Sequence, residues 1–69
     1  SLSWEVHVWK LVIIMFAGTT SMNLGPDDLF RSEIDCYRKS TIYVGAVIQV
    51  AKKNGVIISD LDFKCLKIS

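Results

Sequence analysis

Residues 25–55 read GPDDLFRSEIDCYRKSTIYVGAVIQVAKKNG, from Gly25 to Gly55, and this stretch decides what kind of domain the chain builds. Proline suits the first turn of a helix because the N–H it lacks would have no partner there, and Asp27 and Asp28 complement the positive end of the helix dipole. At the far end Lys52 and Lys53 favour the negative terminus, and Asn54-Gly55 can take the left-handed conformation that closes a last turn. The signals predict an amphipathic helix over about 26–53. Within it Phe30, Ile34, Tyr37, Thr41, Val44, Ile48 and Ala51 recur at alternating spacings of four and three, a heptad-like seam. Leu29, Cys36, Tyr43, Val47 and Val50 widen the apolar stripe, while Arg31, Asp35, Arg38, Lys39 and Gln49 fall largely on the other face. Ser40, Thr41 and Gly45 are the weak points of the pattern, and Ser40 offers a cap for a second helix, so the helix is read as long or kinked.

Working outward toward the N-terminus, residues 1–8 alternate strictly, with Leu2, Trp4, Val6 and Val8 on one side and Ser1, Ser3, Glu5 and His7 on the other. That is the pattern of a half-buried strand. Residues 11–17 form an unbroken apolar run, as in a strand covered on both faces. A helix capped by Gly18 fits the same run, and the β-branched content favours the strand. Residues 18–25 read as a connection. Beyond Gly55, Ser59 and Asp62 have the spacing of a capping box for a short helix over 60–68, burying Leu61, Cys65 and Ile68. The competing reading is a strand through Phe63, Cys65 and Lys67 that pairs with the N-terminal strand, since a lone strand is not stable. The fold expected is therefore α+β: N-terminal strand or strands, one long or kinked amphipathic helix, and a short C-terminal helix or strand. The alternative is an all-α three-helix arrangement.

A chain of 69 residues supports a single small domain. With 51% hydrophobic residues and only 22% charged, it is a folding sequence and not a disordered one. A formal charge of +1 provides no electrostatic footprint for nucleic acid or anionic lipid. A domain of about 60 residues buries only ~60% of its extended surface, so the mean hydropathy of +0.36 leaves more large apolar side chains than one small core encloses. The surplus points to a protein partner, a second copy or a larger complex, and to a subunit that works by helix-mediated association. The expected interface consists of Trp4, Trp9, Phe30, Ile34, Tyr37, Val44 and Ile48, because buried aromatics dominate interface energetics. The uncharged stretch over 11–25 is too short and, in its second half, too polar for a spanning helix, which leaves a peripheral membrane subunit as a further alternative. Two cysteines, Cys36 and Cys65, are too few for a secreted disulfide framework and read as small buried hydrophobes, with a bond between them left open. The compartment is left open, with the cytoplasm favoured.

No motif for catalysis, metal or cofactor stands out. His7 is the sole histidine, and Asp27-Asp28 and Asp60-x-Asp62 are explained by dipole compensation and capping without a cation. GxxxxGKS, GxGxxG, HExxH and CxxC are all missing. Two resemblances concern DNA. Val50, Ala51, Gly55, Val56 and Leu61 fall where the helix-turn-helix of phage repressors wants apolar, small, turn-glycine and core residues, so residues 47–66 resemble that pattern. Residues 20–24, Thr20-Ser21-Met22-Asn23-Leu24, followed by Gly25-Pro26, resemble the ribbon and helix start of ribbon-helix-helix repressors. Either resemblance implies a dimeric DNA-binding regulator, with Ser21 and Asn23 on the ribbon, or Lys52, Lys53, Ser59 and Lys64 around the turn, meeting the nucleic acid. Neither set supplies the Arg or Gln side chains that read base edges best.

Overall fold

The apolar run becomes a strand, β1 (Trp9–Ala17), at the centre of a four-stranded antiparallel sheet in the computed structural model, which describes residues 7–68. β-branched Val12, Ile13 and Ile14 keep more side-chain freedom on a pleated surface than in a helix. Most of the strand predicted over 1–8, and with it Trp4, lies outside the described residues. Gly18 (φ 64) and Thr19 form a two-residue turn into β2 (Thr20–Asn23), so the expected connection over 18–25 itself contains a strand. Glycine is suited to the positive φ at the first turn position.

The β1–β2 ladder continues for one more bond, from Leu24 N–H to the Ile13 carbonyl at 2.8 Å, and then breaks. Gly25 passes so close to β1 that a Cβ there would collide with the Leu11 carbonyl oxygen. The chain rejoins the same side of β1 as β3 (Leu29–Phe30), pairing Phe30 with Trp9 and Leu29 with Lys10 in a shifted register.

Residues 29–30 are thus strand where a helix was predicted. Helix α1 (Glu33–Lys53) begins seven residues after Pro26, with Ser32 as its N-cap: the Ser32 hydroxyl accepts the Asp35 N–H at 3.0 Å, and Glu33 and Asp35 occupy the first turn. Pairing with β1 outweighs the local proline signal, because it buries Phe30 and satisfies backbone groups that a helix start would leave open. The C-terminus falls where predicted, at Lys53, with Asn54 as the cap and Gly55 at φ 71. α1 is unbroken and about 32 Å long. Ser40 does not start a second helix; buried inside the first, it donates its hydroxyl to the Tyr37 carbonyl at 2.6 Å.

The C-terminal element is the strand of the two alternatives. β4 (Asp60–Lys67) runs antiparallel to β1 from Trp9 opposite Lys67 to Phe16 opposite Asp60, on the side away from β2 and β3. Ser59 caps no helix; its N–H and hydroxyl both donate to the Phe16 carbonyl, at 2.8 and 3.0 Å. The chain is α+β, and the all-α alternative does not hold.

Odd-numbered residues of β1 face α1: Leu11, Ile13 and Met15 are buried, and Leu11 and Ile13 join Phe30, Cys36 and Cys65 in the core. Trp9, Tyr43, Val44, Val47 and Leu61 pack against that cluster. The even-numbered face has no second layer among the described residues, so Val12 and Ile14 are half-buried and Phe16 is exposed, contrary to the expectation of a strand covered twice. Cys36 and Cys65 are bonded, with Cα atoms 6.1 Å apart, and the bond fixes α1 to β4 across a sequence separation of 29. It also sets the rotation of α1: the buried line runs through Cys36, Ser40 and Ala51, with Val44 and Val47 half-buried beside it.

Candidate functional site

α1 packs over β1, β3 and β4 and makes no close approach to β2. This off-centre seat leaves an apolar surface on each flank of the helix. On the β2 side, Met15, Met22, Leu24, Val47, Val50 and Val56 border a groove of about 460 Å³. Its two polar neighbours are already engaged. Asn54 donates its side-chain amide to the Val50 carbonyl at 2.8 Å, and the Tyr43 hydroxyl donates to an Asp28 carboxylate oxygen at 2.6 Å. That hydrogen bond, with lesser contributions from desolvation and the Asp28 charge, raises the Tyr43 hydroxyl above its ordinary pKa of 10.0. The Tyr43 ring meets Phe30 edge-on at 6.3 Å, and Lys39 Nζ stands 6.0 Å from the centre of the Phe30 ring.

On the β4 side, Tyr37 and Phe63 meet edge-on with centroids 6.5 Å apart, so this flank of α1 is the one beside the outer strand. At ~100° per residue, Ile34, Thr41 and Ile48 lie within about 60° of Tyr37 around the helix axis. All four are exposed, Ile34 at 70%, and Phe63 is 41% exposed beside them. The expected interface therefore divides. Ile34, Tyr37 and Ile48 form a surface stripe. Phe30 belongs to the chain's own core, and Trp9 and Val44 pack against it. Phe63 was missed as a surface residue because its exposure depends on β4 being the edge of the sheet, which no spacing in the chain reveals.

The outer edge of β4, which pairs with no strand among the described residues, adjoins this stripe. Ile68 N–H bonds to the Val8 carbonyl at 2.8 Å, which places the even-numbered residues of β4 in hydrogen-bonded pairs with β1 and directs the backbone groups of Leu61, Phe63, Cys65 and Lys67 away from it. Two of those outward N–H groups are covered locally: Leu61 N–H by the Asp60 carboxylate at 2.8 Å, and Phe63 N–H by the Asp62 carboxylate at 2.9 Å. Acidic side chains folded back over an edge are one way to guard it.

The residues expected to meet nucleic acid do not gather into one surface. Ser21 and Asn23 stand opposite Phe16 and Ile14, and Lys64 opposite Val12, all on the face of the sheet away from α1. Lys52 and Lys53 end the helix on the other layer, and Ser59 is engaged with Phe16. The second helix of a helix-turn-helix would occupy residues that form β4, and a ribbon-helix-helix needs two helices where α1 is one. Among the described residues no group of three or more His, Cys, Asp or Glu side chains could hold a metal ion, and no helix is long and apolar enough to cross a membrane. Comparison with known proteins finds no matching family model, no similar curated protein and no similar solved structure.

Proposed function

We propose that the protein is a small association subunit whose working surface is the β4-side flank of α1. The observation that carries the reading is the exposed stripe of Ile34, Tyr37 and Ile48 on a helix whose neighbouring side is already committed to the core, continued onto the sheet by Phe63. Contiguous apolar surface of this kind, rimmed by charge, is what protein interfaces are made from. The Cys36–Cys65 bond supports an oxidising compartment as the setting.

Light scattering on the oxidised chain tests the proposal. The parent chain is expected to sediment and scatter as an assembly, and Ile34→Glu combined with Ile48→Glu to reduce its mass without altering its circular dichroism, because neither side chain belongs to the core cluster. A parent chain of 7.8 kDa at every concentration, identical to the double variant, would overturn it.

A further inference from the structure

We infer that the partner of this flank is a second copy of the chain, joined edge to edge through β4 about a twofold axis at Phe63. The inference rests on the association reading and names the occupant. Eight residues of β4 present an edge with no strand beyond it among the described residues, and the outward N–H groups of Leu61 and Phe63 are held only by the carboxylates of the residues preceding them. A neighbouring antiparallel strand supplies carbonyl partners for those groups and frees both carboxylates.

Charge selects the register. An isologous interface pairs a patch with itself, so each residue of β4 must tolerate its twofold mate. Centring the axis on Asp62 opposes that acid to its own copy, and centring it on Lys64 opposes two lysines. Centring it on Phe63 sets Asp62 opposite Lys64 of the second copy, twice, at the non-hydrogen-bonded positions where cross-strand side chains lie closest. Axes nearer either end of β4 leave much of the strand unpaired. The run Asp62-Phe63-Lys64 is thus self-complementary about its middle residue.

The same register fits the other face. Phe63 lies on the α1 side of the sheet, opposite Ile13 in the β1 pairing, so the axis brings the two Phe63 rings together beneath the two Tyr37 side chains. The helices then run antiparallel across the axis with the Ile34, Thr41 and Ile48 flanks turned toward one another. The product is one continuous sheet carrying both helices on one face.

Reversal of single charges tests this. Asp62 and Lys64 are both exposed on the face away from α1, so the monomer fold should survive in each variant, as checked by circular dichroism. In sedimentation velocity, Asp62→Lys and Lys64→Asp alone should each weaken dimerisation by about tenfold or more, since two attractive pairs become repulsive. Their combination should restore it. A dimer indifferent to the single reversals, or one that the double reversal fails to rescue, overturns the register; if that dimer still yields to Ile34→Glu with Ile48→Glu, the association reading stands without it. A parent chain that stays monomeric overturns both.

Discussion

Tyr43 links the helix to the loop between β2 and β3 through a hydrogen bond from its hydroxyl to Asp28. Its raised pKa means that the folded chain holds the phenolic proton more tightly than the unfolded chain does. The stabilisation is therefore fully present below pH 10.0 and is lost as pH climbs through the higher folded value. Denaturant titrations should find Tyr43→Phe less stable than the parent at neutral pH, with the gap closing only on the alkaline side of that value. A constant gap through strongly alkaline pH would show that the hydroxyl acts by packing alone. Gly25 makes a different kind of contribution: it lets the loop after β2 lie against the Leu11 backbone, where any side chain would force the two apart.

Among the elements, the C-terminus of α1 was legible because Lys52, Lys53, Asn54 and Gly55 are local signals that the local backbone answers directly. Its N-terminus was not. Pro26-Asp27-Asp28 and Ser32-x-x-Asp35 are competing start signals in one short stretch, and what decides between them is the pairing of Leu29 and Phe30 with β1, a contact across some twenty residues. Which side of α1 is buried was not legible for a related reason. The heptad-like seam splits, Val44 and Ala51 turning toward the core and Ile34, Tyr37 and Ile48 staying on the surface, because the Cys36–Cys65 bond turns the side through Cys36 and Ser40 inward. Two cysteines without a motif carry no pairing information of their own, so the tie between α1 and β4 appears only once β4 is known to be a strand. In the chain-entropy account, closing a loop with this separation contributes about 3–4 kcal/mol, a large share of the ~5–15 kcal/mol that small domains possess. Replacing Cys36 and Cys65 together by alanine should cost an amount of that order in urea unfolding. A loss below about 1 kcal/mol would indicate that packing of α1 on β4 holds without the bond.

At the scale of the whole molecule, one helix among the described residues covers one face of a sheet and reaches only part of it. The apolar surplus evident from composition is accordingly distributed over a groove beside β2, the uncovered face around Val12 and Ile14, and the stripe that Tyr37 shares with Phe63. Composition foretells that such surface exists but not where it lies, because inward and outward stripes on α1 are both apolar and adjacent. Trp9, Phe30 and Val44 carry the same chemistry as Ile34 and Ile48, yet the first three serve the chain's own core. The stripe beside β4 is the one that continues onto an open strand edge with self-matching charges. Sedimentation equilibrium of the oxidised parent chain across a concentration series is the direct test. The predicted result is a reversible approach to twice 7.8 kDa as concentration rises; a mass that remains at 7.8 kDa up to millimolar protein would contradict it.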